Sequence, residues 1–207
     1  MPGNHIILFL LWTVYCLLHS LLASIAIKKK LAVLLGNQFR YYRLVYTIFA
    51  FVFLVYILYY QFNIETMAVF KTTMFSRLAG VTIALTGLVI MFICIKKYFI
   101  SLSGLLSLVK EDSHSTLIIS GVHKYVRHPL YLGTFAFIWG AFLCFPLWTV
   151  LIADTVITVY TLIAIRFEED KLVKEYGNSY KQYQASVPKL IPTFRSAPVG
   201  EPRSTLK

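Results

Sequence analysis

The 207-residue sequence is 58% apolar and 14% charged, with a formal net charge of +11, against about half apolar and a quarter charged in a soluble domain. That balance argues against a soluble protein. Abundant aromatics with ordinary Gly and Pro content exclude a disordered or collagen-like chain, and three cysteines set inside apolar runs (Cys16, Cys94, Cys144) exclude a disulfide framework. What remains is an all-α polytopic membrane protein. In chain order, Met1 to Ile27, Leu44 to Ile64 and Leu78 to Ile95 carry no Lys, Arg, Asp or Glu, and Pro129 to Ile165 carries only Asp154. A membrane helix needs roughly 20 such residues. The last window would make a helix of about 56 Å, far beyond a bilayer, so it should fold back at Phe145-Pro146. Five transmembrane helices are predicted, the last two a helical hairpin.

Basic residues orient the bundle, because Lys and Arg concentrate on the cytoplasmic side. Segment 28–43 holds Lys28, Lys29, Lys30, Arg40 and Arg43, and segment 96–127 holds Lys96, Lys97, Lys110, Lys124 and Arg127; eight more follow residue 165, while the opposite side keeps Lys71 and Arg77. The N-terminus is therefore expected outside and the C-terminus in the cytoplasm, in the inner membrane of a bacterium or the endoplasmic reticulum of a eukaryote. The first apolar run is no cleavable signal, since its positive cluster follows it. This topology and anionic headgroups of the lipid bilayer account for the +11 charge without nucleic acid.

The chain reads as a single membrane domain in which residues 1–100 form a three-helix scaffold, 101–195 hold the polar stretches where chemistry should lie, and 196–207 are a tail. Gly80 and Gly87, seven apart, suit close helix packing. The loop after the third helix opens with an apolar Ser101 to Leu108, suited to the interface, and Thr116 to Gly121 reads as a short extended piece. Pro129 fixes the start of the fourth helix, with Arg127 and His128 just ahead of its N-terminus; free N–H groups and partial positive charge there suit an anion, although interfacial anchoring explains the pair as well. Asp154, about halfway along the fifth helix, is either a functional intramembrane acid or a hydrogen-bonded structural one. That helix ends in Glu168-Glu169-Asp170, opposing both the helix dipole and the anionic leaflet. Either Arg166 pairs with Asp170 at i,i+4, or Glu168 or Glu169 turns inward to meet a cation. Leu172, Tyr176, Tyr180 and Tyr183 repeat at helical spacing around a Gly177-Asn178 cap, predicting a cytoplasmic helix docked by its aromatic stripe, with Val187 to Pro192 as an extended strap. The five histidines have no zinc spacing and no accompanying cysteine, so no metal site is expected.

Taken together, Ser120-Gly121, Arg127-His128-Pro129-Leu130-Tyr131-x-Gly133, Arg166-x-Glu168-Glu169-x-x-Leu172, Tyr176-Gly177-x-x-Tyr180-x-x-Tyr183, Val187-Pro188 and Pro192 resemble the integral-membrane methyltransferases related to isoprenylcysteine carboxyl methyltransferase and phospholipid methyltransferase. The resemblance covers roughly residues 101–192. Leu11-Trp12, His19-Ser20-Leu21-Leu22 and Tyr42-Arg43-Leu44 look more like the bacterial NnrU and methanethiol S-methyltransferase branches.

The resemblance implies S-adenosyl-L-methionine as cofactor, bound by Ser115, Thr116, Leu117, Ile118, His123, Arg127, His128, Pro129, Leu130, Tyr131 and Glu168. It places Arg166 and Glu169 as catalytic candidates and implies a small or lipophilic methyl acceptor: isoprenylcysteine carboxylate, thiol or phospholipid amine. The substrate-facing arginine of the prenylcysteine enzymes is replaced here by Ala164, with Arg166 two residues later and so turned by about 200°. A non-catalytic NnrU-like component and a small transporter subunit are the alternatives.

Overall fold

A computed structural model describes residues 2–103, 117 and 119–192. Among them the chain forms seven α-helices: α1 (Pro2–Ala23), α2 (Ile25–Leu35), α3 (Tyr42–Asn63), α4 (Met74–Ser103), α5 (Pro129–Cys144), α6 (Trp148–Tyr176) and α7 (Asn178–Ser186). Four apolar stretches are long enough to cross a membrane, within Gly3–Ala23, Ala26–Asn63, Met74–Lys96 and Trp148–Tyr176, and α5 is a shorter apolar helix. The protein is a multi-pass membrane protein.

Local chemistry sets the breaks. Ser24 caps α2 by accepting from the Ile27 N–H. Gly36, at φ 50°, then ends the run and leads through a six-residue 3-10 helix, Gly36–Tyr41, into α3, a backbone setting that suits glycine. With no Gly or Pro after Ile95, α4 continues past Lys96-Lys97 to Ser103, beyond the apolar window seen in sequence. The hairpin turn falls at Phe145 to Leu147, as expected. It is pinned by the loop after α3, where the Val69 N–H donates to Pro146 O at 2.6 Å and the Trp148 N–H to Met67 O at 3.2 Å.

Spatial order differs from chain order. α4 packs on α5, α5 on α6, α6 on α1, and α1 on α3. The α4–α5 contact is backbone on backbone: a Cβ on Gly87 would lie 2.5 Å from Gly133 O, and one on Gly140 would lie 2.7 Å from Gly80 O. Two seven-residue glycine pairs thus face each other in antiparallel register. The opposite flank is closed by Leu8, Trp12, Ile57 and Ala153, where α1, α3 and α6 meet. There the Trp12 Nε1–H donates to buried Gln61 Oε1 at 2.9 Å. Asp154 is buried at 4% exposure and its Oδ2 has no hydrogen-bond partner.

Candidate functional site at the start of α5

His128 is the N-cap residue of α5 and Pro129 fills its first turn. No side chain caps this end, so the first-turn N–H groups of Leu130 and Tyr131 carry the helix's partial positive charge outward. The strap expected from Val187 onward pairs with this entry, the Arg127 N–H donating to Pro188 O at 2.9 Å and the His128 N–H to Lys189 O at 3.1 Å.

Helix α6 continues beyond the end of its charge-free stretch at Ile165 and brings the two glutamates to the same place with opposite fates. Glu169 is buried. Its Oε1 accepts from Arg127 Nε at 2.8 Å and His128 Nε2 at 3.1 Å, and Lys189 Nζ stands 3.3 Å from Oε2. Burial alone would push this carboxyl up, but the hydrogen bonds from Arg127 and His128 and the charges of Arg127 and Lys189 outweigh it and hold it below its ordinary range. Glu168 has a side chain 43% exposed, accepts from Tyr131 OH at 3.0 Å, and lies 3.8 Å from His128 Nδ1. The His128 and Tyr131 rings stack at 5.7 Å.

The Arg127 guanidinium is used inside the protein, on Glu169, Gln184 O at 2.9 Å and Val187 O. It ties α6 and the end of α7 to the α5 entry. Behind it Tyr180, Tyr183 and Val187 form a buried cluster against Leu117, Ile119, Leu172, Val173 and Tyr176, which is the docked aromatic stripe expected from sequence. Burial, and next the Glu169 carboxylate, push the Tyr180 phenol up to about 12. Tyr183 OH donates to His123 O at 2.6 Å, so His123 belongs to the same support.

Of the residues singled out in sequence, His123, Arg127, His128, Pro129, Leu130, Tyr131, Glu168 and Glu169 converge here, and Leu117 joins the aromatic cluster. Ser115, Thr116 and Ile118 lie outside the described residues, as does the Ser101 to Leu108 piece beyond Ser103. Arg166 is exposed and forms no ion pair with Asp170; the compensation for the acidic run is the Glu169 cluster. Lys189 and the Tyr183 contact were not foreseen, because they depend on where a distant strap lies. Gly133 and Gly140 could have been found from their spacing, which repeats that of Gly80 and Gly87.

Comparison with known proteins gives a family match that takes in the start of α5 and both glutamates. Residues 75–179 match the family profile described as phospholipid methyltransferase. A methanethiol S-methyltransferase of Crocosphaera subtropica is 44% identical over 72 residues, 34% of this chain and 27% of that protein. Methanethiol S-methyltransferase 1 of Bradyrhizobium diazoefficiens is 39% identical over 77 residues, 36% and 26% of the two chains. A protein-S-isoprenylcysteine O-methyltransferase of Rattus norvegicus is 36% identical over 95 residues, 44% and 32% of the two. The chain thus spans about a third or less of the length of these curated relatives. No solved structure matches it.

Proposed function

We propose, from the premise that this chain belongs to the phospholipid methyltransferase family, that it is an S-adenosylmethionine-dependent membrane methyltransferase whose cofactor is held at the start of α5. The relatives are named for a thiol and for a prenylcysteine acceptor. We read five spans, α1, α3, α4, α5 and α6, with the N-terminus outside and this site at the cytoplasmic face.

The donor set fits the cofactor, which carries a carboxylate, an ammonium and a sulfonium. The observation that carries the reading is the pairing of an uncapped helix N-terminus with a half-exposed carboxylate that has a free edge. Leu130 and Tyr131 N–H groups suit the cofactor's carboxylate, and Glu168 suits one of its cations, with the stacked His128 and Tyr131 rings beside it. Glu169 and Arg127 act one layer behind. Their mutual neutralisation keeps His128 in place through Glu169 Oε1, so Glu169 is an anchor and not a general base: a carboxylate already receiving three cationic or N–H partners is a poor proton acceptor.

When bound, the cofactor supplies a methyl group on a sulfonium, the carbon–sulfur bond breaking as the acceptor's lone pair forms the new one. The chain's part is alignment. Holding two reactants in register is worth on the order of 7–11 kcal/mol, and apolar helix walls exclude water from the encounter. A neutral acceptor's proton leaves to water at the half-exposed mouth beside Glu168.

Calorimetric titration of S-adenosylmethionine, or its demethylated product, into detergent-purified protein tests this. Saturable binding is expected in the wild type. Glu168→Ala should weaken it about tenfold, the loss of one charge-assisted contact at a half-exposed position, and His128→Ala should weaken it as well. Absence of binding in a folded wild-type sample refutes the proposal and favours a non-catalytic membrane component.

A further inference from the structure

Lys71 and Arg77, at the start of α4, stand apart from the basic segments at the other end of the bundle. Among the described residues neither forms an ion pair. Packing fixes where they lie. A Cβ on Gly80 would meet Gly140 O and Cys144 Sγ, both at 2.7 Å, at the far end of α5, and Cys144 Sγ donates to Arg77 O at 3.6 Å. The 16 residues of α5 run about 24 Å at 1.5 Å each, so this end of the bundle is separate from the candidate cofactor site.

The Arg77 side chain is held in place by a hydroxyl. Its Nε and Nη2 both donate to Thr72 Oγ1, at 3.3 and 3.0 Å. Of the five N–H groups of a guanidinium, three remain, including the pair across Nη1 and Nη2 that forms a fork for two oxygens of one anion. The backbone beside it is satisfied locally: the Ser76 N–H donates to Thr73 Oγ1 at 3.1 Å, the Thr73 N–H to Ser76 Oγ at 3.0 Å, and the Arg77 N–H to Thr73 O at 3.1 Å. The donor available to an anion is therefore the guanidinium and not the helix end.

Arg77 lines a groove of about 440 Å³ with Thr72, Thr73, Met74, Leu78 and Val81. Met74, Leu78 and Val81 are exposed, and the same face of α4 continues through the exposed Leu85, Val89 and Phe92, at the three- and four-residue spacing of a helix stripe. From Met74 to Phe92 the stripe runs about 27 Å, close to the roughly 30 Å thickness of a bilayer's hydrocarbon core. A guanidinium without a counter-ion and two threonine hydroxyls thus stand at the head of a long apolar track, a pattern that complements a phosphate and an acyl chain carried by one molecule.

We propose that this groove binds a phospholipid of the leaflet opposite the α5 entry. Its phosphate is taken by Arg77 beside the Thr72 and Thr73 hydroxyls, and one acyl chain lies along Leu78, Val81 and Leu85. The site is independent of the methyltransferase reading, since it shares no residue with the cofactor site and takes its ligand as a bound lipid, with no bond made or broken.

Native mass spectrometry of the detergent-purified full chain tests this, with dioleoylphosphatidylcholine as the phosphate-bearing probe and dioleoylglycerol as the same acyl chains without phosphate. Thermal unfolding is measured alongside. Wild type should bind one phosphatidylcholine about tenfold more tightly than dioleoylglycerol, the size of one charge-assisted hydrogen bond. Arg77→Gln should lose that advantage with an unchanged unfolding temperature, because its side chain bonds only to Thr72. Arg77→Lys should keep part of it, since an ammonium cannot fork, and Lys29→Gln, at the other end of the bundle, should keep all of it. Thr72→Val, nearly the same shape, should weaken phosphatidylcholine binding about fivefold, the size of one neutral hydrogen bond, and so carries the test if Arg77→Gln does not fold. Equal affinity of wild type for the two probes overturns the proposal, as does an undiminished phosphatidylcholine advantage in folded Arg77→Gln or in Thr72→Val.

Discussion

Replacing Glu169 with alanine should damage the protein in a way that replacing its neighbour does not. Glu169 and Arg127 have side chains only 8% exposed, so removing the carboxylate strands a guanidinium with no other anion beside it, and frees Lys189 and His128 from their shared partner. Breaking a buried pair from one side costs about 3–5 kcal/mol, equivalent to a fall of roughly 6–20 °C in Tm for a chain of this size. Glu168→Ala gives up one hydrogen bond from Tyr131 at a half-exposed position, about 1 kcal/mol or less. Thermal unfolding in a single detergent, followed by circular dichroism, compares the two. The double variant Arg127→Met with Glu169→Leu should regain part of the loss, because it removes both charges together; part remains lost with the Gln184 and Val187 carbonyl contacts. Equal stability of Glu169→Ala and Glu168→Ala would refute the assignment of one glutamate as anchor and the other as ligand.

Gly87→Ala should also destabilise the bundle, by about 1–3 kcal/mol, because its Cβ would sit 2.5 Å from Gly133 O and Phe137 N; Gly3→Ala, with nothing within 4 Å, should leave the unfolding temperature unchanged. Acidification has a definite sign. Glu169 is held below its ordinary carboxylate value of 4.5, so its contribution is present above that value and is lost as pH falls through its lower folded-state value. A pH series of unfolding temperatures should therefore drop in that acidic range, and the drop should shrink in the Arg127→Met, Glu169→Leu double variant.

Much of this protein follows from sequence because a bilayer permits few solutions. Charge-free runs of about 20 residues must be helices, since no other local structure satisfies the backbone in hydrocarbon; hence α1, α3, α4 and the α5–α6 hairpin with its turn at Phe145-Pro146. Pro129 and Gly177 mark their boundaries by backbone chemistry alone, and the tyrosine spacing foretold the docking of α7. What tertiary structure decided is which partner each polar group meets. Local chemistry offered Arg127 and two adjacent glutamates, either of which could turn inward, and the resemblance implied Glu168 on the cofactor and Glu169 as a catalytic candidate. Only the strap, returning Lys189 and the Val187 carbonyl to the α5 entry, turned Arg127 inward and made Glu169 a buried anchor, leaving Glu168 half-exposed. The row of helices, with α1 against α6 and α4 against α5, was likewise beyond sequence: the long apolar helices are apolar nearly all round, so no stripe distinguishes a lipid face from a protein face. The contacts that choose are short-range ones, glycine faces so close that an added Cβ would lie 2.5–2.9 Å from the neighbouring backbone and hydroxyl pairs such as Ser20–Tyr160, formed between residues up to 140 positions apart.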